Sequence, residues 1–462
     1  MTRFIARLIV GFFLSLACVD AALAADSAPR DVGYRGIWFT LGQMGAYGDK
    51  YSGGLGTYTA NHRPLAVHAP EAEKTFFVYG GAKEGRRHLL IMASYYDHAR
   101  DVVPRPVIVH DKQGVDDPHD NASIALDGDG HVWVFVSGRG QKRPGFKYRS
   151  LAPYSVDAFE RVSEEEMTYP QPWWVPDQGF MHVFTKYTRG REIYWNTSGD
   201  GRRWSEARKL AGMGGHYQIA EPLPGGAASV FNYHPGGNVD RRTNIYYAKT
   251  MDMGATWTTV DGQSLETPLE ETVNPALVRD YEKEKRLVYL CDLAFDDAER
   301  PVILYVTSGH HMPGPEGDPR HWTVARWDGA AWQFQEFAPA GHNYDTGQLW
   351  ITPGKPWRVL APTGRGPSRW GAGGEVALWE CASPGNDWTQ QAVLTVDSEF
   401  NHNYVRRPVN AHPEFYAFWA DGDPDRESPS RLYFTNEAAS GVWQLPYDME
   451  DDEAAPVQVF PR

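Results

Sequence analysis

The sequence has 462 residues, of which 42% are hydrophobic and 23% charged, with a formal net charge of -14 and a pI near 5.6. This length fits two or three ordinary domains or one large closed β architecture. The acidic balance argues against nucleic acid and against an anionic membrane surface as partners. The 17 Trp and 24 Tyr suit a β-rich fold with aromatic sugar platforms, although Trp in sheets most often serves packing.

The first predicted element is a secretory signal peptide over residues 1–24. Arg3 and Arg7 form its positive end, residues 8–17 form its apolar core, and Ala22-Leu23-Ala24 is the cleavage box. Cys18 resembles a lipoprotein cysteine, but Ser15 stands where such a box requires Leu. We therefore expect cleavage after Ala24 and a secreted or periplasmic protein. No later stretch of the sequence is long and apolar enough to span a bilayer.

The exported chain would keep two cysteines, Cys291 and Cys381. Two cysteines at this separation can pair or stay free, and the sequence leaves both options open. The core must therefore rest on apolar burial rather than on a disulfide framework.

A repeat of similar strand openings dominates the rest of the chain. Helical periodicity is nearly absent, and short β-like runs alternate with Gly, Pro, Asn and Asp turns. The openings begin at Thr59, Pro118, Thr168, Gly215, Thr272, His342 and Phe400. A spacing of roughly 45–70 residues is typical of propeller blades. The sequence predicts an all-β, seven-bladed β-propeller with four-stranded antiparallel blades, as a single domain over residues 25–462. Residues 33–40 are expected to close the ring with the last blade.

A second repeat is a β run followed by a polar turn and a Trp. Its copies are residues 193–204, 245–257, 323–332, 376–388 and 431–443. The second copy resembles the Asp-box hairpin of sialidase-type propellers, in which Asp and Gly shape the turn and Trp packs between strands. Asp boxes are structural, so Asp252 and Asp200 are not candidates for catalysis.

Residues 94–121 are predicted to bring His98 and His119 to the ends of two neighbouring strands. The run between them is extended and interrupted by proline, which excludes a helix. Two imidazoles on a rigid β scaffold can act as general base, general acid or metal ligands. The alternative is that each caps a turn through Asp97 or Asp120.

The strand openings are rich in histidine, tyrosine and asparagine. Because innermost strands all begin near the central funnel, these side chains should converge there from different blades. The His and Tyr members are His62, His119, Tyr169, His216, Tyr217, His342, Tyr344, His402 and Tyr404. About half of them are expected to satisfy backbone groups between blades. No metal site or cofactor is predicted, because His310, His311 and His216 lack carboxylate or Cys partners at ligand spacing.

Several longer motifs resemble one known propeller family. They are GYRGIWF, KYSGGLGTY, KTFFVYGG, YYDH with VPRP, HDN, YPQPW, FTKYTRGREIYW, DRRTNIYY and HNYVRRPVN. The chain resembles the BNR-repeat propellers that contain ulvan lyases and L-rhamnose-α-1,4-D-glucuronate lyases, together with an α-L-rhamnosidase branch. The resemblance covers nearly the whole mature chain.

The resemblance implies cleavage of a bond to O4 of a uronic acid by β-elimination. This reaction requires a cation on the carboxylate, a base for the C5 proton and an acid for the leaving O4. The matching residues are, as catalytic groups, His98, His119, Tyr169 and Arg191 and, as substrate contacts, Tyr187, Tyr233 and Arg242. Arg191 would clamp the carboxylate, and Tyr187 is the second candidate for the catalytic tyrosine.

Two other functions stay open from the sequence. The rhamnosidase branch uses a single histidine on the opposite face of the propeller, and that position matches Gln43 here. Glutamine cannot exchange protons near neutral pH, which favours the lyase. The third hypothesis is a secreted sugar-binding propeller without activity. The expected partner is an acidic polysaccharide or oligosaccharide bound by a monomer. The exact glycan and the choice between endo and exo action stay open.

Overall fold

The computed structural model describes residues 27–55, 61–83, 88–115 and 117–460, so the expected signal peptide lies outside the described residues. These residues form seven antiparallel sheets that are arranged as the blades of a β-propeller, as predicted. Among the described residues there is no α-helix, and hence no helix that could cross a membrane. The fold class expected from the two repeats is confirmed.

The first four blades follow one another in chain order. From the axis outward, blade 1 contains Ala66–Ala69, Lys74–Ala82, Leu89–Asp97 and Val107–Asp111. Blade 2 contains Ala122–Leu126, His131–Val136, Gly145–Pro153 and Phe159–Glu165. Blade 3 contains Thr168–Val175, Gly179–Tyr187, Arg191–Ser198 and Arg208–Ala211. Blade 4 contains Gln218–Leu223, Gly226–Tyr233, Thr243–Thr250, Trp257–Thr258, Ser264–Leu265 and Leu277–Arg279.

The last three blades continue the same order. Blade 5 contains Leu287–Phe295, Pro301–Ser308, His321–Trp327 and Trp332–Pro339. Blade 6 contains Gln348–Trp350, Trp357–Gly364, Glu375–Cys381 and Trp388–Val393. Blade 7 contains Asn401–Arg406, Ala417–Gly422, Leu432–Thr435, Val442–Gln444 and Val457–Phe460.

Short strands and 3₁₀ turns fill the connections. The short strands are Gly36–Ile37, Phe39–Thr40, Met44–Gly45, Gly48–Asp49, Ser52–Gly53, Val103–Pro104, Pro429–Ser430 and Glu453–Ala454. The 3₁₀ turns are Pro70–Ala72, Pro118–Asp120, Pro235–Gly237, Val239–Arg241 and Pro315–Gly317. Four of the five begin with proline, whose fixed φ suits the first position of such a turn.

One predicted strand opening is wrong. Residues 272–278 were expected to open the innermost strand of blade 5, but Leu277–Arg279 pairs at the outer side of blade 4. The innermost strand of blade 5 is Leu287–Phe295. Its sequence, LVYLCDLAF, is a nearly continuous apolar run, as is typical of a strand buried on both faces.

Two pairings close the ring between blades 1 and 7. Gly36 pairs with Gly81 of blade 1 and with Ser430 beside blade 7, so the N-terminal strand bridges the seam. On the C-terminal side, Glu453–Ala454 pairs with Val103–Pro104 next to blade 1. The expected closure by residues 33–40 is therefore present, and the chain end contributes a second closure. Both cover edges that would otherwise be exposed.

The Asp-box hairpin of blade 4 has the predicted structural role. Asp252 accepts hydrogen bonds from the Thr256 N–H at 2.9 Å and the Thr256 hydroxyl at 2.7 Å. Gly254 takes φ +83°, and its Cα lies against Trp195, so a side chain there would collide with the indole. Trp257 is buried against the same indole at 5.3 Å between ring centroids.

A buried ion-pair hub joins four blades near the axis. Arg63, just before blade 1, donates to Asp292 of blade 5 at 2.6 Å and to Glu221 of blade 4. Arg407, after the innermost strand of blade 7, donates to Glu221 at 3.0 Å. Asp292 and Glu221 each lie close to both arginines, so the buried positive and negative charges compensate one another. The two cysteines form no disulfide: Cys291 and Cys381 are both buried and free.

Candidate active site

Strand directions separate the two faces of the propeller. Each innermost strand begins at one face, which we call the funnel face, and ends at the other, the opposite face. In blade 1 the antiparallel registers place Ala69 beside Lys74 and Lys74 beside Asp97, so these residues lie together at the opposite face. Residues that immediately precede the innermost strands lie at the funnel face.

His119 lies in the 3₁₀ turn Pro118–Asp120, directly before the innermost strand of blade 2. Asp117 caps this turn by accepting the backbone N–H of His119 at 3.0 Å. The same carboxylate oxygen bonds Nδ1 of the buried imidazole. Proton exchange by His119 is thereby directed to Nε2.

Asp117 is held in its ionised form by cations from the neighbouring loop. Arg139 Nη1 and Arg143 Nη2 donate to its second oxygen at 2.7 and 2.6 Å. Burial alone would raise the pKa of the carboxyl, but the bonds from His119 and these arginines bring it well below its usual range. In His119 burial outweighs the Asp117 charge and lowers the pKa, so the imidazole is neutral at neutral pH.

Tyr169 is the second residue of the innermost strand of blade 3 and is fully buried. Its backbone takes φ +54°, a conformation that costs a non-glycine residue about 1–3 kcal/mol. This conformation brings its ring to 5.6 Å from the His119 ring and 5.3 Å from the His62 ring. A strained backbone of this kind is typical of functional sites.

Arg191 begins a strand of blade 3 at the same face and is half-buried. Its carbonyl accepts the His216 N–H at 2.9 Å, which ties blade 3 to blade 4. Its positive charge contributes to the lowered pKa of His119, and its guanidinium lies 5.8 Å from the Tyr187 ring. Against the opposing effect of burial, the Asp117 carboxylate and the phenols of Tyr187 and Tyr169 raise the pKa of Arg139. His119, Tyr169, Arg191 and Tyr187 are therefore brought together.

Arg242 forms a second cationic centre, next to the one around His119 and Arg191. It is buried, and its Nη2 donates to the Tyr344 hydroxyl at 2.9 Å. Its guanidinium lies 4.8 Å from the Tyr217 ring and 4.5 Å from the Tyr289 ring, within cation–π range. Tyr217 connects the two centres, because its ring also lies 5.6 Å from that of Tyr169.

His234 is a member of this site that the sequence did not reveal. Its ring lies 4.7 Å from Tyr217, is fully buried, and has a pKa well below the usual value because of burial and the charge of Arg242. Among the described residues, neither ring nitrogen of His234 has a hydrogen-bond partner. The neighbouring Tyr233, which was predicted as a substrate contact, packs instead against the apolar cluster of blades 3 and 4. His234 directly follows the strand that Tyr233 ends, and it places its ring beside Tyr217.

His98 does not join the site. It follows the strand Leu89–Asp97 at the opposite face, where its ring lies 3.8 Å from His412 and 5.3 Å from His68. The prediction that His98 and His119 meet at neighbouring strand ends is wrong, because His98 follows the far end of its strand. A nine-residue strand spans roughly 30 Å, so the two imidazoles cannot act on one sugar.

Three other histidines of the strand openings serve the scaffold. His216 Nδ1 pairs with the Asn232 carbonyl at 2.8 Å, His342 Nδ1 accepts the Tyr344 N–H at 3.1 Å, and His402 Nδ1 accepts the Trp419 indole N–H at 3.0 Å. Such pairing was expected for part of this set. Gln43 lies in an exposed loop that ends near Asp49. The Asp49 N–H donates to the carboxylate of Asp425 at 2.9 Å, and Asp425 lies in a loop of blade 7 at the funnel face. The expected placement of Gln43 on the opposite face is therefore wrong.

The assembled groups can perform proton transfer beside a bound anion. His119 offers an oriented neutral imidazole, and Tyr169 offers a phenol from the next blade. Arg139, Arg143, Arg191 and Arg242 make the funnel locally basic in a chain whose net charge is -14. A face with this excess of arginines suits an acidic ligand.

Comparison with known proteins agrees with the fold. Residues 91–339 match the BNR repeat-containing family. The propeller is similar to the structure of an ulvan lyase, polysaccharide lyase PL25, bound to -[GlcA(1-4)Rha3S]-, with a TM-score of 0.69 and 16% identity, covering 83% of this chain and 93% of that one. It is also similar to a second structure of a PL25 ulvan lyase, with a TM-score of 0.70 and 15% identity, covering 88% of this chain and 96% of that one.

A third similar structure is polysaccharide lyase Uly1, with a TM-score of 0.61 and 12% identity, covering 91% of this chain and 99% of that one. No curated protein matches the sequence. At these identities the solved structures establish a shared propeller fold. Because the family match spans more than half of the sequence, the chain belongs to the BNR repeat-containing family.

Proposed function

We propose that the protein is a polysaccharide lyase that cleaves a 4-linked uronic acid by β-elimination at the funnel face. The observation that carries the proposal is the Asp117–His119 pair, which lies in one site with Tyr169 and the Arg191 cation. These residues provide the three functions that the elimination requires: a carboxylate clamp, a base and an acid.

In the proposed reaction, Arg191 pairs with the uronate carboxylate and makes the C5 proton acidic. One of His119 Nε2 and the Tyr169 oxygen removes that proton, and the electron pair of the C5–H bond forms the C4–C5 double bond. The C4–O4 bond breaks, and the other group of the pair, in its protonated form, gives a proton to O4. The enzyme carries no net change in protons once His119 and Tyr169 have exchanged with water.

The proposed substrate is a rhamnosyl-glucuronate or ulvan-like glycan acted on outside the cytoplasm. Similar propellers of known structure are ulvan lyases, one of them bound to -[GlcA(1-4)Rha3S]-. The Arg242 centre supports this choice, because its guanidinium and its three tyrosines suit an anionic sugar ring next to the cleaved residue. The apolar start and the Ala-Leu-Ala box of the sequence support the proposed export.

Ultraviolet absorbance of the product tests the proposal, because elimination creates a double bond conjugated to the carboxylate and hydrolysis creates none. We expect rising absorbance on ulvan or rhamnosyl-glucuronate oligosaccharides. His119→Ala and Arg191→Ala should each lower the rate by about 10²–10⁴-fold. The matched controls are His321→Ala, which removes a surface imidazole paired with Glu336, and Arg161→Ala, on the outer strand of blade 2. Both should keep the wild-type rate.

Two outcomes would contradict the lyase proposal and favour another function. Release of free rhamnose without absorbance would identify an α-L-rhamnosidase. Tight binding of the glycan with neither product would identify a binding propeller.

A further inference from the structure

Three histidines and a glutamate lie together at the opposite face, at the seam between blades 1 and 7. His68 is in the innermost strand of blade 1, and His98 follows the third strand of the same blade. His412 and Glu414 belong to the blade 7 loop that joins Asn401–Arg406 to Ala417–Gly422. The cluster shares no residue with the site at the funnel face.

The backbone holds this cluster in place from both sides. The His68 N–H donates to the Val409 carbonyl at 2.9 Å, and the His98 N–H donates to the Glu73 carbonyl at 2.9 Å. The Glu414 N–H donates to His412 Nδ1 at 3.2 Å, a hydrogen bond that ligation through the same nitrogen would replace. The loop of blade 7 is thereby fixed against the strand ends of blade 1.

The side chains converge closely. His98, His412 and Glu414 each offer one ligand atom, and these atoms all lie within 4.8 Å of one another. The His412 ring lies 3.8 Å from the His98 ring and 4.9 Å from the His68 ring. Donor atoms around a tetrahedral Zn²⁺ lie roughly 3.3 Å apart. To bind the ion, these side chains would therefore have to move toward one another by about an ångström.

One hydrogen bond orients His98 for ligation. Its Nε2 lies 2.8 Å from the hydroxyl of the buried Thr75, and its Nδ1 points to Glu414 Oε2 at 3.5 Å. A histidine ligand typically donates its second ring N–H to such a partner, which fixes the tautomer.

We propose that His98, His412 and Glu414 bind one divalent transition-metal ion of the Zn²⁺ type, beside the ring of His68. Nitrogen and carboxylate donors in this number suit Zn²⁺ rather than Ca²⁺ or Mg²⁺, which require mostly oxygen ligands. Because the ligands come from blades 1 and 7, the ion would fasten the seam at which the ring closes. The role is structural and does not depend on the lyase activity.

The test uses the full chain without a histidine tag, after removal of metal with a chelator. Calorimetric titration with Zn²⁺ should show one site per chain, and Co²⁺ should give the visible absorption of a four-coordinate ion. His412→Ala should weaken Zn²⁺ binding at least 10²-fold, and Thr75→Val about 10–100-fold, the usual effect of losing a ligand's hydrogen-bond partner. His321→Ala is the matched control, since it removes a histidine that is paired with a carboxylate but has no third ligand.

Thermal unfolding provides a second measurement. Zn²⁺ should raise the Tm of the wild-type chain and of His321→Ala, and should leave the Tm of His412→Ala unchanged, because only a competent site stabilises the folded state. His412 and Glu414 are partly exposed, so His412→Ala and Glu414→Gln are expected to fold without metal. A wild-type chain that binds neither ion with a Kd below about 10 µM would overturn the proposal. So would equal Zn²⁺ binding by His412→Ala.

Discussion

The ring of Tyr169 lies 5.6 Å from that of His119, although the two residues open the innermost strands of different blades. Both precede or begin a strand at the funnel face, so the seam between blades 2 and 3 brings a phenol and an imidazole together. The scaffold therefore holds a phenol and an imidazole side by side at the funnel face.

Tyr169→Phe removes the phenolic hydroxyl and keeps the ring that packs against His119 and His62. We expect kcat to fall by about 10²–10⁴-fold with little change in KM, because the group acts in proton transfer. Tyr233→Phe is the control, since this tyrosine packs against the apolar cluster. Initial rates of ultraviolet absorbance measure both variants. Equal rates for Tyr169→Phe and the wild type would remove Tyr169 from the reaction.

Asp117→Asn tests the positioning of His119. The Asp117 charge and its hydrogen bond both raise the pKa of the imidazole, so their loss should lower that pKa further. If neutral His119 is the base, activity is lost as pH falls through its pKa. The acidic limb of kcat/KM should then move to lower pH while kcat drops. A lower kcat with an unmoved acidic limb would indicate that Asp117 only stabilises the loop.

His234→Phe tests whether the buried imidazole contacts substrate. Since neither nitrogen has a hydrogen-bond partner among the described residues, the substitution should not lower the urea midpoint. We expect KM to rise about tenfold, because a substrate hydroxyl would lose its partner. His402→Phe is the comparison, as His402 accepts the Trp419 N–H and its loss should destabilise the fold. An unchanged KM for His234→Phe would exclude a role in binding.

The ion-pair hub predicts a large stability effect at one position. Arg63→Ala leaves Asp292 and Glu221 with one cation fewer in a buried setting, and breaking such a pair typically costs about 3–5 kcal/mol. Arg161→Ala, whose partner Glu164 is exposed, should change the free energy of unfolding by less than about 1 kcal/mol. Urea unfolding followed by tryptophan fluorescence compares the two. Similar midpoints would mean that the hub contributes no net stability.

The two sequence repeats were sufficient to predict most of the fold. Strand openings and Trp hairpins predicted seven blades, and the motifs around His119, Tyr169 and Arg191 identified residues that the structure places together. The error at His98 has a geometric cause. A strand places its two ends on opposite faces, and the sequence near His98 does not show which end the histidine follows.

Two other features depend on information that local sequence does not contain. His234 directly follows the strand that Tyr233 ends, and local sequence does not show that its ring lies beside Tyr217 while Tyr233 packs against the apolar cluster. The histidine cluster at the seam joins His98 to Glu414, which is 316 residues later in the chain. Ligands at such a separation produce no spacing motif, so the sequence offered no signal for them.

The closure by Gly36 has a consequence for synthesis. Residues 33–40 leave the ribosome or the export channel long before Ser430 and the segment around Glu453 do. Until then the earlier blades can fold only as an open arc, and the free edges at its two ends can pair with other chains. Slow translation or slow export of the last blade would prolong this interval. We therefore expect it to reduce the soluble yield without altering the stability of molecules whose ring has closed.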